Sequence, residues 1–179
     1  MRIIAGKNKG KVLVDFKLET TRPTSDLVKG ALFNIIAEKI VDCEFLDLFG
    51  GTGSISCEAV SRGASSVITV DNNNESIKII KKNLSLINAN NVKVLNSNFV
   101  DALKQFIKNK NKFDIIFLDP PYKTDFAEQS IEFILKNNLL KENGLLIWEH
   151  DEDKLNLLNN YGNFKTKKYG KKYLSIYQI

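Results

Sequence analysis

The residues with the most specific chemistry are four in a row, Asp119-Pro120-Pro121-Tyr122, directly after the apolar run Phe113-Asp114-Ile115-Ile116-Phe117-Leu118. An exocyclic amino group of a nucleic-acid base is a poor nucleophile, because its lone pair is delocalised into the ring. The Asp119 carboxylate and the Pro120 carbonyl together form an acceptor pair for its two N–H hydrogens. Such a pair makes the nitrogen more tetrahedral and localises the lone pair. Pro120 and Pro121 stiffen the loop, so both acceptors stay aimed. Tyr122 offers a flat face on which an extruded base can stack. The bland reading is an ordinary turn with a surface tyrosine. Its place after the fourth apolar run favours the chemical one.

A second constellation is Asp47-Leu48-Phe49-Gly50-Gly51-Thr52-Gly53, an apolar run entering glycines that open a helix. Glycines there give the turn its dihedrals and let backbone approach a ligand. A dinucleotide fingerprint needs G-x-G-x-x-G, and after Gly51 and Gly53 the third position is Ser56. That fails. A phosphate-binding P-loop fails too, because no Lys-Ser/Thr pair follows. Asp71 stands 18 residues beyond Gly53, at the end of the next apolar run, where a carboxylate accepts two hydrogen bonds from ribose hydroxyls. After the third run, Asn98 offers an amide acceptor and Phe99 a ring to an adenine.

These loops need a rigid frame, and the hydrophobic pattern supplies one. Strands are expected at Cys43–Phe49, Val67–Asp71, Val92–Leu95, Phe113–Leu118 and Gly144–Trp148. Helices are expected at Ser54–Arg62, Asn74–Ile87, Val100–Ile107 and Phe126–Lys136. Alternation of this kind predicts an α/β fold, a doubly wound, Rossmann-like, mostly parallel sheet. Phe164–Tyr169 and Tyr173–Tyr177 flank Gly170-Lys171-Lys172 and predict a closing antiparallel hairpin. Residues 1–179 read as one domain, with a 41–179 core and a 1–40 extension. In that extension Arg2–Ala5 and Lys11–Val14 suggest a short strand pair. An amphipathic helix capped by Thr24 or Ser25 follows, with Leu27, Val28, Ala31, Leu32, Ile35 and Ile36 on its packing face, expected against the sheet edge.

The net charge of +5 is unevenly spread. Arg2, Lys7, Lys9 and Lys11 begin the chain without an acid, and Lys154, Lys165, Lys167, Lys168, Lys171 and Lys172 end it without one. Two basic ends suit a polyanion, although a lysine-rich solvated surface explains them equally. Cys43 and Cys57 form no metal or disulfide pattern and read as buried thiols. His150, the single histidine, reads as structural. With no leader, membrane span or metal cluster in the pattern, the chain is expected to be cytoplasmic, metal-free and monomeric.

The D-x-F-x-G-x-G loop resembles that of the class I S-adenosylmethionine-dependent methyltransferases. Met1 to Lys11, Thr21 to Lys29, Leu32 to Ile35, Phe45 to Phe49, Ser61 to Ala64, the D-P-P-Y loop and Lys168 to Lys172 look like the 16S ribosomal RNA guanine-N2 methyltransferase family. The resemblance implies methylation of the N2 amine of one guanine in the small ribosomal subunit or its assembly intermediate. It implies S-adenosylmethionine held by Asp47, Phe49, Gly51, Gly53, Asp71, Asn98, Phe99 and Asp119. It also implies RNA contacts from Arg2, Lys7, Lys9, Lys11 and Arg22, with Arg22 nearest the flipped base. The chain departs from the family pattern at Asn98, where Asp is expected, and at Gly30, where Glu is common. The same loops also fit a DNA adenine or an amide methyltransferase.

Overall fold

Apolar runs with no polar face must be covered on both sides, and here they form the middle of one sheet. The protein is described by a computed structural model that covers residues 1–16, 26–121, 124–152 and 154–179. Its strands are β1 Glu44–Asp47, β2 Ser66–Asp71, β3 Val92–Asn96, β4 Phe113–Leu118, β5 Leu140–His150, β6 Lys165–Tyr169 and β7 Lys172–Gln178. Its helices are α1 Asp26–Ile35, α2 Ser54–Ser61, α3 Asn74–Leu86, α4 Phe99–Lys108, α5 Phe126–Lys136 and α6 Leu155–Leu158. The spatial order is β3-β2-β1-β4-β5-β7-β6. The first five strands pair in parallel, and β7 runs antiparallel to both β5 and β6. The fold is α/β, a doubly wound, mostly parallel sheet closed by an antiparallel pair. Strand order reverses between β1 and β4, which opens a crevice beyond their carboxyl ends.

Side chains along each central strand alternate between two cores. Phe45, Ile115, Phe117 and Ile147 join the core formed with α1, α2 and α3. Leu46, Ile116, Leu118, Leu146 and Trp148 join the one formed with α4, α5 and α6. By that alternation Asp47, Asp119 and Glu149 fall on the α1–α3 face at the carboxyl edge.

Three expectations need correction. The N-terminal strand pair is only a single antiparallel bridge, Arg2 to Val12, turned through Gly6 and Gly10 at φ 82° and 83°. That segment spends its amides on α2 instead: the Ile4 and Ala5 N–H groups donate to Glu58, at 2.8 and 3.0 Å. Helix α1 reaches past the sheet edge, with Phe33 stacked on Phe45 of the central β1 at 6.4 Å. Its Leu27, expected on the packing face, is 61% exposed. Strand β5 begins at Leu140 rather than Gly144, because buried Leu139 and Leu140 carry the apolar run across a register shift opposite Phe113. The helix cap expected at Thr24 or Ser25 lies outside the described residues.

Cys43 and Cys57 are buried free thiols, each pushed up to about 12, chiefly by burial. Among the described residues no helix is long and apolar enough to cross a membrane.

Candidate active site

The cofactor loop is made by the tight exit from β1. Gly51 and Gly53 adopt φ 55° and 75°, a left-handed backbone that favours glycine. They differ in what surrounds them. A Cβ on Gly51 would meet nothing within 4 Å, so its upper side is open. A Cβ on Gly53 would lie 3.2 Å from Ile80 of α3, and one on Gly50 would lie 2.4 Å from the Thr69 hydroxyl of β2. Gly51 therefore faces the crevice, while Gly50 and Gly53 let the loop pack against the second βα unit.

Asp71, half-buried at the end of β2, is held by both carboxylate oxygens. Oδ2 accepts the Gly51 N–H at 2.8 Å and Oδ1 accepts the Asn73 N–H at 2.8 Å. Each oxygen keeps lone-pair capacity for a diol. Asp47 is 1% exposed; its Oδ2 accepts from the Ser56 hydroxyl at 2.8 Å, while Oδ1 is buried without a partner. Burial, with added repulsion from Asp119 and Asp71, pushes Asp47 up to about 7. Phe49, Phe99 and Phe126 form a ring cluster at this edge, with centroid separations of 5.5 and 4.9 Å about Phe99. The features fit S-adenosylmethionine: a diol acceptor at Asp71, an open backbone surface at Gly51, and carboxylates suited to a cationic ligand.

Asn98 is already engaged. Its Oδ1 accepts the Asp101 N–H at 2.9 Å, capping α4, and its Nδ2 donates to the Asp101 carboxylate at 2.6 Å. One Oδ1 lone pair is left for an adenine amine.

Asp119 and buried Pro120 follow β4 directly, with Pro121 exposed beyond them. One register step past the Leu118–Trp148 pair, Glu149 stands beside Asp119 on the same sheet face. Glu149 is 2% exposed, Lys172 Nζ lies 3.7 Å from its Oε1, and its Oε2 is buried without a hydrogen-bond partner. Burial first, then the Asp119 charge, push Glu149 up to about 8 against the pull of Lys172. Tyr122 and Arg22 lie outside the described residues. His150 points to the other face, where its ring meets Ser175 at 2.7 Å and Trp148 at a centroid distance of 4.5 Å.

The lysines at the N-terminus sit on a fixed backbone. Lys7, Lys9 and Lys11 are exposed, and the Lys7 N–H donates to the Ser61 carbonyl at 2.8 Å. Arg2 is exposed too, and its carbonyl accepts from Lys29 Nζ at 2.6 Å. Lys29 is buried, held also by the Ser54 hydroxyl at 3.0 Å and by Glu58 at 3.8 Å. Burial lowers its pKa and Glu58 opposes that fall.

Asn83 is fully buried; it exchanges two hydrogen bonds with the Val14 backbone and donates a third to the Thr52 carbonyl. Lys29, Glu58, Asn83 and Glu149 escaped sequence reasoning. The available signal was a charged or amide residue inside an otherwise apolar face or run.

The chain is similar to known proteins along nearly its whole length. A family model described as Conserved hypothetical protein 95 matches residues 1–178. A protein of Buchnera aphidicola subsp. Baizongia pistaciae named Ribosomal RNA small subunit methyltransferase D is 39% identical, over 99% of this chain and 91% of its own length. The Haemophilus influenzae protein of that name is 40% identical over 86% of this chain and 80% of its own. The solved structure of Escherichia coli yhhF superposes with a TM-score of 0.81 at 28% identity, covering 99% of this chain and 97% of that one. The chain therefore belongs to the Conserved hypothetical protein 95 family, the class I methyltransferase family that includes these small-subunit methyltransferase D proteins.

Proposed function

We propose that this protein transfers a methyl group from S-adenosylmethionine to the N2 amine of one guanine in 16S rRNA, acting as a cytoplasmic monomer. The observation that carries the reading is the position of Asp119, one strand over from the Asp47 and Asp71 cradle and at the same sheet edge. The names of the relatives, given for small-subunit rRNA methylation, supply the substrate.

Bound S-adenosylmethionine supplies an electrophilic methyl on a sulfonium. Asp71 accepts the ribose hydroxyls, the Gly51 and Gly53 loop seats the cofactor beside Phe49, Asp47 balances its positive charge, and Phe99 with Asn98 borders the adenine. Asp119 and the Pro120 carbonyl accept the two N2 hydrogens, localise the lone pair and hold the amine in line for displacement. Asp119 then takes the proton that the methylated nitrogen releases. Pro121 keeps the loop rigid, and Tyr122 stacks the extruded base. Residues 1–40 serve as the RNA-contacting extension of a single domain, through Arg2, Lys7, Lys9, Lys11 and Arg22. Their phosphate contacts orient the substrate, and the shape of the loop selects it.

The test is incubation with labelled S-adenosylmethionine and, in parallel, unmodified small subunits, DNA and protein. Label on a single guanine N2 of 16S rRNA is expected. Label on DNA or protein, or none anywhere, overturns the reading.

A further inference from the structure

Both basic ends of the chain reach the same helix, α1. Relative to its net +5, the first eleven residues hold +4 and residues 154–179 hold +6, so the stretch between them is net acidic. From the N-terminal segment, the Ile4 side chain lies 4.0 Å from where a Gly30 Cβ would be. From the C-terminal one, the edge strand β6 borders with α1 a groove of about 610 Å³, lined by Leu27, Gly30, Ala31, Asn34, Lys167 and Tyr169.

Strand register ties this groove to the carboxylates of the active site. Lys167 pairs with Leu174, and Leu174 pairs with Glu149, so the three share one row. Alternation puts Lys165, Lys167 and Tyr169 on the α1 face of β6, with Asp119 three strand spacings away, about 14 Å. β6 runs parallel to β5, so its Tyr169 end lies at the same edge as Asp119. The floor is formed by small residues, its outer wall is an edge strand with exposed Lys165 and Lys167, and a half-buried tyrosine stands at the active-site end. A cationic wall with an aromatic platform is what a single nucleic-acid strand needs. The one acid in the lining, Asp26, lies 3.8 Å from Lys29 Nζ.

We propose that the groove between α1 and β6 is a second RNA-binding surface, which holds the sugar–phosphate strand flanking the target base, separate from the contacts of the N-terminal lysines. This rests on the rRNA reading above.

Two variants test it. Lys165→Gln with Lys167→Gln removes the cationic wall. Asn34→Glu puts a carboxylate on the exposed, groove-lining side of α1, with Asn34→Gln as a neutral control of the same size. Binding to bare 16S rRNA and to small subunits is measured across a salt series, with S-adenosylmethionine affinity by calorimetry as a check on folding. The lysine variant is expected to lower the salt slope by about 2, roughly one unit per lost phosphate contact. Asn34→Glu is expected to weaken RNA binding well beyond Asn34→Gln. Cofactor affinity is expected to stay unchanged in all three.

Wild-type slope and affinity in the lysine variant overturn the groove proposal and leave the rRNA reading intact. So does weaker binding at an unchanged slope, or a loss confined to small subunits, since either assigns the groove to a protein partner. Failure of the wild-type protein to bind either RNA overturns the rRNA reading itself.

Discussion

The backbone N–H of Gly51 donates to Asp71 Oδ2 at 2.8 Å, so the glycine turn after β1 and the acid closing β2 are one structure. In the proposed function Asp71 has two tasks: it accepts the ribose and holds the loop beneath it. Replacing Asp71 by Ala is expected to weaken S-adenosylmethionine binding by at least about 10-fold, since a hydrogen bond to a charged group contributes roughly 1.5–3 kcal/mol. Calorimetry measures this directly, and unchanged affinity would remove Asp71 from the cofactor site.

Asp119→Ala separates chemistry from binding. Methyl transfer is expected to fall by at least about 100-fold, the usual scale for loss of a preorganised electrostatic partner. Cofactor affinity should weaken only modestly. Single-turnover rates near wild type would exclude Asp119 from the reaction.

The buried carboxyl of Asp47 gives a pH dependence with a defined sign. Its pKa is pushed up to about 7, so below that pH it is largely neutral and offers a cationic ligand no charge. Cofactor affinity is therefore expected to rise between pH 6 and 8, as Asp47 ionises. In Asp47→Asn the same titration should be flat over this range. An equal rise in the variant would assign the effect to another group.

Glu149 gives stability a pH dependence, falling as pH rises. A carboxyl raised to about 8 in the folded state and ordinary in the unfolded one binds an extra proton when folded. Its contribution is thus intact in acid and is lost as pH climbs from the ordinary Glu range through about 8. Glu149→Gln is expected to lessen the fall in Tm between pH 5 and 9, read by calorimetric scans. A fall as steep as in wild type would refute this.

Glu58 binds Ile4 and Ala5 through their amides, takes the Arg62 guanidinium at 2.8 Å, and faces buried Lys29. Glu58→Ala leaves Lys29 buried with Asp26, at 3.8 Å, as its acid among the described residues, and is expected to cost roughly 3–5 kcal/mol. Limited proteolysis should then cut first within residues 1–16. Resistance of that segment in the variant would show that Glu58 does not hold it.

What could be read from the chain was what repeats or what is rigid. Phe113–Leu118 has only one polar residue, so a strand covered on both faces was legible, and its bounds agree with β4. The same held for Phe126–Lys136. The doubly wound, mostly parallel sheet follows from that alternation. The turn at Gly51–Gly53 and the acid at Asp71 were legible because their spacing is local. Asn83 and Lys29 were not, since each satisfies groups 25 to 69 residues away that no periodicity connects. The Arg2–Val14 segment misled because its residues suit a strand, whereas Glu58 and Ser61 capture the amides that a second strand would have used. Asn98 looked like a free loop amide, yet the next residue begins a helix and claims it as a cap.

Asn83 grips both Val14 and Thr52, and Glu58 grips Ile4 and Ala5 from the helix that springs from the same glycine turn. The leading segment is thus bolted to the glycine turn and to the helix behind it, so displacing that segment breaks hydrogen bonds at both.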